Sequence, residues 1–351
     1  MKIDYMKVLV FLVVFAYSVC GDEAPIFPAV ITFGDSALDV GNNNHRHTTF
    51  KANYAPYGTD FITHKPTGRF CNGKLVIDIL TDIMGFHAYP PPYLSPQASG
   101  KNLLLGASFA SAAAGYDHDA AVHKQAIPLS GQLEYFKEYK SKLNELVGGN
   151  KSEYIVKEAL YVLSAGTADF LQNYYLSSSL KKAYTPDQYA SFLASSFSNF
   201  VKELYGLGAR RIGVTSLPPL GCLPAAIDLF RSHEKGCVIS INKGAQNFND
   251  KINSSAASLR KQFPDLKITV LDIFNPLLEI VQSPSKHGFV EARKGCCGAG
   301  SVKTNRYLCK PGREGICSNA DEYVFWDTVH LSEATNQLLA DAVLFQGLSL
   351  V

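Results

Sequence analysis

Short apolar segments that alternate with long helix-period segments constrain the fold of this chain more than any other feature. The apolar runs are rich in β-branched residues, which is typical of buried strands: Ala29–Phe33, Ala159–Leu163, Arg211–Thr215 and Leu266–Asp272. Long helices between short, buried strands favour a parallel sheet covered on both faces. We therefore expect an α/β fold, with reactive side chains beyond the carboxyl ends of the strands.

Between these strands, apolar residues recur with the period of a helix. Three such faces run from Leu75 to Ile83 with Asn72 as a predicted N-cap, from Tyr189 to Leu204, and from Ile241 to Leu259. No run of Pro, Ser or like charges has the composition of an interdomain linker. The sequence predicts one domain that spans residues 21–351.

The first twenty residues have the pattern of a secretory signal peptide rather than of folded structure. Lys2 and Lys7 precede an apolar run, Val8–Ala16, and small residues follow, so we place a cleavage site near Cys20 and Gly21. A buried helix is the alternative. No later stretch reaches the roughly 18 apolar residues of a membrane span. The mature protein is expected to be soluble and secreted into the extracellular space.

Cysteine usage agrees with an oxidising compartment. Seven cysteines follow the predicted leader: Cys71, Cys222, Cys237, Cys296, Cys297, Cys309 and Cys317. The adjacent pair in the late cluster does not supply the C-x2-C spacing of a zinc knuckle, so disulfides are favoured over a metal. We predict a local bridge between Cys222 and Cys237, two bridges of undetermined pairing among the last four cysteines, and a buried free thiol at Cys71.

Charge and motifs exclude several classes of function. The chain has 33 Lys+Arg against 31 Asp+Glu, and a net charge of +2 does not favour nucleic-acid binding. Neither a phosphate-binding loop nor a dinucleotide fingerprint is present, so we expect no cofactor. His45 and His47 alternate like a metal pair, but the surrounding polar residues indicate an exposed loop, and we predict no metal site. The sequons at Asn150 and Asn253 are possible N-glycosylation sites.

Residues with the chemistry of a serine hydrolase lie at the two ends of the predicted domain. Gly34-Asp35-Ser36 directly follows the first strand, where a Ser side chain points into the crevice, although a Ser at such a turn more commonly serves only as a helix cap. A nucleophilic Ser needs a base that an acid orients. Asp327 and His330 offer both, and a helical turn between them would bring the carboxylate to one imidazole nitrogen.

Several motifs together resemble the plant GDSL esterase/lipase family, within the SGNH hydrolases. They are Phe33-Gly34-Asp35-Ser36-Ala37-Leu38-Asp39, Thr67-Gly68-Arg69-Phe70-Cys71-Asn72-Gly73, Phe109-Ala110-Ser111, Leu217-Pro218-Pro219-Leu220-Gly221-Cys222 and Phe325-Trp326-Asp327. The resemblance covers essentially the whole mature chain. It implies a flavodoxin-like three-layer α/β/α domain with a central, mostly parallel sheet. It also implies hydrolysis of carboxylic esters, with Ser36 as nucleophile, Asp327 as orienting acid and His330 as general base and acid.

Two positions depart from the family's pattern. The family's third motif has an Asn whose side chain donates to the oxyanion, and this chain has Ala168 there, in Gly166-Thr167-Ala168-Asp169. Losing one such donor typically costs about 10²–10³ in turnover. The family's oxyanion Gly falls at Ala112, which still offers a backbone N–H, as does Ser36. Gln172 or Asn173 are candidate substitutes for the missing Asn.

Three functions fit these observations. The first is a secreted serine esterase that forms an acyl-enzyme on small-molecule or polymeric esters, of lipids or of the cell wall. The second is an acyltransferase that uses the same three residues with an alcohol as acceptor. The third is a binding protein that has lost useful catalysis, for which Ala168 is the main argument. A triad with an incomplete oxyanion hole retains some activity, and this favours the esterase.

Overall fold

The computed structural model describes residues 24–230, 236–297, 307–312 and 315–351. The predicted signal peptide and its cleavage site lie outside these residues. Five parallel strands form the central sheet: β1 Val30–Gly34, β2 Gly106–Ser108, β3 Leu160–Ser164, β4 Arg211–Thr215 and β5 Lys267–Leu271. Their order is β2-β1-β3-β4-β5, with every neighbouring pair parallel. The four strands expected from the sequence are β1, β3, β4 and β5, each within one residue of its predicted ends.

Helices connect the strands and cover the sheet. They are α1 Val76–Ile83, α2 His118–His123, α3 Leu129–Val147, α4 Gly149–Glu158, α5 Ser178–Ala183, α6 Pro186–Gly206, α7 Pro224–Phe230, α8 Ile239–Gln262, α9 Phe274–Gln282 and α10 Glu333–Leu344. A short helical turn, Thr167–Asp169, follows β3 and continues as a π-helix, Phe170–Tyr174. Within the described ranges, no helix is both long and apolar enough to cross a bilayer.

The alternation of side chains along the strands divides the core between the two faces of the sheet. Val30 and Val162 pack on one face with Ile77 of α1. Ile31 and Phe33 pack on the opposite face, in a larger cluster that includes apolar residues of α3, α6 and α8. Helices on both faces of a parallel sheet give the three-layer α/β/α fold that the sequence predicts.

One local expectation is wrong, and one strand is not predicted by the sequence. Asn72 does not cap α1, because the helix begins only after Leu75. The first turn is capped instead by Asp78, whose side chain accepts the backbone N–H of Leu75. Asn72 donates to Asp60 and accepts the backbone N–H of Glu333, which ties this loop to α10. The strand β2 was not expected, because its three residues, Gly106–Ser108, include no β-branched side chain.

Three disulfides lie in the described residues, and the bridge predicted locally is among them. Cys222 pairs with Cys237, Cys296 with Cys317, and Cys297 with Cys309. Cys71 is a buried free thiol, as expected, and burial raises its pKa well above its ordinary value. The late bridges lie beside a second, two-stranded sheet of β6 Glu291–Gly295 and β7 Tyr323–Phe325. Asp327 and His330 follow β7 directly.

Candidate active site

The turn after β1 is shaped so that Ser36 lies at the carboxyl edge of the sheet. Gly34 has φ of +131°, and a Cβ there would lie 1.8 Å from the carbonyl oxygen of Ser164, so only glycine fits. The Gln132 side chain accepts the Gly34 N–H at 2.8 Å and donates to the Gly34 carbonyl at 2.9 Å. Because β1 lies between β2 and β3, Ser36 emerges at the switch point where such sheets form a crevice.

Ser36, His330 and Asp327 form a continuous chain of hydrogen-bonding contacts. Ser36 Oγ lies 2.7 Å from His330 Nε2, and His330 Nδ1 lies 2.7 Å from Asp327 Oδ2. The Asp327 side chain is fully buried, and 12% of the His330 side chain is exposed. The Phe70 ring packs against the imidazole with its centroid 4.8 Å away. This geometry lets the imidazole take a proton from the hydroxyl while the carboxylate holds its other nitrogen.

The local structure between Asp327 and His330 differs from the expected helical turn. The segment is a bend that the carboxylate itself organises, since Asp327 Oδ1 accepts the backbone N–H groups of Val329 at 2.8 Å and His330 at 2.7 Å. This Asx-type turn leaves Oδ2 directed at the imidazole. The Tyr57 hydroxyl also donates to Oδ2, at 2.7 Å. Sequence reasoning missed Tyr57, because nothing in the chain marks a partner so distant from Asp327.

The backbone N–H that the sequence predicts as an oxyanion donor is already hydrogen-bonded, and the N–H of the following residue is free within the described residues. The Ala112 N–H, which the sequence assigned to the oxyanion, donates to Asp39 Oδ2 at 2.9 Å and is not available. The next residue, Ala113, has φ of +70°. In the part of the chain that the structure describes, neither the Ala113 N–H nor the Ser36 N–H has an acceptor. Both residues line one small cavity with Ala168 and His330.

The two amides proposed as substitutes for the missing Asn have different surroundings. Gln172 lines the small cavity beside Ser36, and its Oε1 is buried without a hydrogen-bond partner. Asn173 points elsewhere, because its Nδ2 donates to Asp117 at 3.2 Å and to the Tyr189 hydroxyl at 3.1 Å. Of the two, only Gln172 reaches the crevice.

Three buried carboxyl groups around the site have raised pKa values. Burial raises the pKa of Asp35 and of Asp39 to about 6, although backbone N–H groups that each carboxylate accepts oppose the shift. Burial raises the pKa of Asp169 to about 7, against the N–H groups of Tyr116 and Asp117 and the charge of Lys124. Loss of solvation disfavours the ionised carboxylate in each case.

An apolar cavity opens beside the Ser36–His330 pair. Its volume is about 120 Å³, and aliphatic side chains from α1, α9 and α10 supply much of its wall, among them Val76, Leu80, Leu277, Leu339 and Val343. On the outer side of the crevice lies a wider groove of about 540 Å³, which Lys124, Gln172, Leu308 and Lys310 help to line. Gln172 and Leu308 border both the groove and the small cavity at Ser36.

The remaining candidate residues lie away from this crevice. His45 and His47 are exposed, and within the described ranges no group of three or more His, Cys, Asp or Glu side chains is placed to hold a metal ion. Asn150 is exposed in the first turn of α4. Asn253 is exposed on α8, where its Nδ2 donates to the carbonyl of Asn249. Both sequons therefore remain predictions of N-glycosylation.

Comparison with known proteins agrees with this architecture. Residues 30–343 match the family model described as GDSL-like Lipase/Acylhydrolase. The chain is 60% identical to the Arabidopsis thaliana protein named GDSL esterase/lipase APG, over 93% of each chain. It is 47% identical to the Arabidopsis protein GDSL esterase/lipase At5g03820, over the full length of both. With a three-layer α/β/α fold, a matched family model and relatives that extend along the whole sequence, the chain belongs to the GDSL lipase/acylhydrolase family of carboxylic ester hydrolases.

Proposed function

We propose that this hydrolase cleaves esters of aliphatic carboxylic acids through an acyl-enzyme on Ser36. The observation that carries the proposal is the contact of Ser36 Oγ with His330 Nε2 at 2.7 Å, with Asp327 on the far side of the imidazole. The decayed-enzyme alternative is disfavoured by this geometry, because a binding protein has no need of an aligned nucleophile, base and acid.

In the acylation step, His330 Nε2 takes the proton of Ser36 as Oγ bonds to the ester carbonyl carbon. The resulting imidazolium is stabilised by the carboxylate of Asp327, which is held by Tyr57 and by two backbone N–H groups. Collapse of the tetrahedral intermediate breaks the bond to the alcohol oxygen, which leaves with the proton from Nε2. In deacylation, His330 Nε2 takes a proton from water as the water oxygen bonds to the acyl carbon. The bond to Ser36 Oγ then breaks, Oγ receives the proton from Nε2, and the acid is released.

For the oxyanion, we propose the backbone N–H groups of Ser36 and Ala113 as donors. Both lack an acceptor in the described residues and border the cavity at the nucleophile, whereas Ala112 is bound to Asp39. The left-handed backbone of Ala113 is the kind of local strain that clusters at functional sites. Donors held in place before the reaction stabilise the developing charge without reorganisation.

The apolar cavity beside Ser36 supports an aliphatic acyl group as the part of the substrate bound there. Its volume of about 120 Å³ is below the about 300–1,000 Å³ of pockets for drug-sized ligands, which favours short and medium chains over long ones. The alcohol part then extends into the wider outer groove. The three disulfides support secretion, with residues 1–20 as the signal peptide.

The test is hydrolysis of p-nitrophenyl butyrate by the secreted protein, beside a Ser36→Ala variant of equal thermal stability. We expect the variant to lose at least about 10³-fold in kcat and the wild type to release an initial burst of p-nitrophenol. Ester formation in the presence of an added alcohol would indicate the acyltransferase instead. Equal background rates from both folded proteins would reject catalysis of these esters.

A further inference from the structure

The cavity beside Ser36 lacks a side-chain donor at the position where the family's pattern places one. Ala168 lines this cavity with a methyl group only. The proposed backbone donors, Ser36 and Ala113, leave the oxyanion without any side-chain amide. A site of this kind gains most from a further N–H group aimed at the developing charge.

Gln172 lies one helical turn beyond Ala168 and lines the same cavity. Both side chains line this cavity, and the Gln side chain is one methylene longer than Asn, so it can reach back towards the position of Ala168. The segment that carries Gln172, Phe170–Tyr174, is a π-helix, in which Tyr175 N–H donates to the Phe170 carbonyl at 2.9 Å. Such widened turns occur frequently at functional sites.

The terminal amide of Gln172 makes no hydrogen bond within the described part of the chain, and its Oε1 is buried. Buried polar atoms in proteins are nearly always hydrogen-bonded, because an unpaired one loses the hydrogen bonds that water would provide, so the unpaired Oε1 marks this half-buried side chain as one without a fixed partner. Its neighbour Asn173 follows that rule, since Asp117 and Tyr189 bind it. A free amide can rotate about its last side-chain torsion and turn Nε2 into the cavity.

We propose that the Gln172 side chain supplies the oxyanion donor that Ala168 cannot, an inference that rests on the serine-esterase function proposed above. When Ser36 Oγ bonds to the carbonyl carbon, the electron pair of the C=O bond moves onto oxygen, and Nε2–H donates to that oxygen. When the bond to the alcohol breaks, the pair returns to the carbonyl and the hydrogen bond weakens. Gln172 neither gives up nor takes a proton in this step; its hydrogen bond only stabilises the negative charge on the oxygen.

The variants that test this are Gln172→Met, which keeps the size and cannot donate, and the double variant Gln172→Met with Ala168→Asn. Gln246→Met is the matched control, because that Gln is exposed on α8 and lines a different groove. Thr167→Val tests whether the Thr167 hydroxyl, which also lines the small cavity, is the oxyanion donor instead of Gln172. Each variant is assayed with p-nitrophenyl butyrate, with its melting temperature measured in parallel. The rate of Ser36 phosphorylation by diethyl p-nitrophenyl phosphate is followed by mass.

We expect Gln172→Met to lower kcat by about 10²-fold with KM within about threefold, because the interaction forms only in the transition state. Phosphorylation of Ser36 should slow in parallel, Gln246→Met should match the wild type, and Ala168→Asn should restore at least about tenfold to Gln172→Met. A kcat within threefold of wild type in Gln172→Met overturns the inference, as does a loss found only in Thr167→Val. If Gln172→Met instead raises KM with little change in kcat, and Ala168→Asn does not reverse that rise, then Gln172 acts in substrate access from the outer groove. That result also overturns the inference. Failure of the wild type both to hydrolyse the ester and to label Ser36 would instead reject the proposed function itself.

Discussion

The Tyr57 hydroxyl donates to the same oxygen of Asp327 that faces His330, at 2.7 Å. Tyr57 is almost fully buried, and burial raises its pKa well above the ordinary value, so it remains a donor at any working pH. Its oxygen also accepts the backbone N–H of Cys309 at 3.1 Å. Through this one hydroxyl, the disulfide-bonded loop at Cys309 is connected to the carboxylate that orients the imidazole.

Replacing Tyr57 with Phe should lower kcat about tenfold. The Asp327 carboxylate loses the donor that fixes Oδ2, and the buried Cys309 N–H loses its acceptor, which should also cost about 1–3 kcal/mol in the free energy of unfolding. Tyr54→Phe is the matched control, because the Tyr54 hydroxyl donates to the Cys309 carbonyl at 2.9 Å and does not bind Asp327. Steady-state kinetics with p-nitrophenyl butyrate would decide. An equal loss of kcat in both variants would show that loop anchoring alone matters.

Removing the Cys297–Cys309 bridge should reduce activity as well as stability. The bridge holds Cys309 against Tyr57, so Cys297→Ser with Cys309→Ser should lower kcat together with the unfolding free energy. The Cys222–Cys237 bridge closes a loop of similar length but contacts neither Tyr57 nor Asp327, so its removal should affect stability alone. Loops of this size are worth about 3 kcal/mol each. Kinetics and denaturant unfolding of the two double variants would check this, and equal kcat values would contradict it.

The chain-length preference should follow the size of the apolar cavity. Each methylene buried there contributes about 0.8 kcal/mol, or about fourfold in kcat/KM, until the chain reaches the end of the cavity. Val76→Phe projects a ring into this space and should lower kcat/KM for p-nitrophenyl hexanoate at least tenfold relative to the acetate ester. Leu278→Phe, which lines a different groove, is the control. An unchanged hexanoate-to-acetate ratio in Val76→Phe would place the acyl group elsewhere.

The sequence predicts most of the sheet because its strands are buried on both faces and carry short apolar runs, as in Leu160–Ser164, all five residues of which are buried. It does not predict Gly106–Ser108, since a three-residue strand of small side chains is held by its neighbours rather than by its own propensity. The proposed triad of Ser36, Asp327 and His330 is predicted from motifs, because each motif is a run of neighbouring residues in the sequence. Tyr57 is not, because a single hydroxyl contact formed by tertiary folding leaves no local pattern.

The oxyanion region shows a second limit of sequence reasoning. The family's motif places the backbone donor at Ala112, but a motif does not specify the direction in which a backbone N–H points. Whether an N–H points into the cavity depends on φ and on competing acceptors, here the left-handed Ala113 and the carboxylate of Asp39. Asp39 shapes the turn after Ser36, because its Oδ1 accepts the N–H groups of Gly41 and Asn42. Its hold on Ala112 is a long-range contact that the sequence does not reveal.

Asp169 should make the stability of the fold depend on pH. Burial raises its pKa to about 7, whereas the unfolded chain has the ordinary value of 3.8, so the folded state binds the proton more tightly. Its contribution to stability is therefore full below about pH 4 and is lost as the pH rises through about 7. Asp169→Asn does not titrate. From pH 5 to pH 8, the unfolding free energy of the wild type should fall relative to that of the variant by roughly 2–3 kcal/mol, because about two pH units separate pH 5 from the folded-state pKa and each unit is worth about 1.4 kcal/mol. Urea unfolding at both pH values measures this, with Asp250→Asn, exposed on α8, as the control for a lost negative charge. A difference between wild type and Asp169→Asn that is the same at pH 5 and pH 8 would mean that Asp169 is already ionised in the folded protein at pH 5.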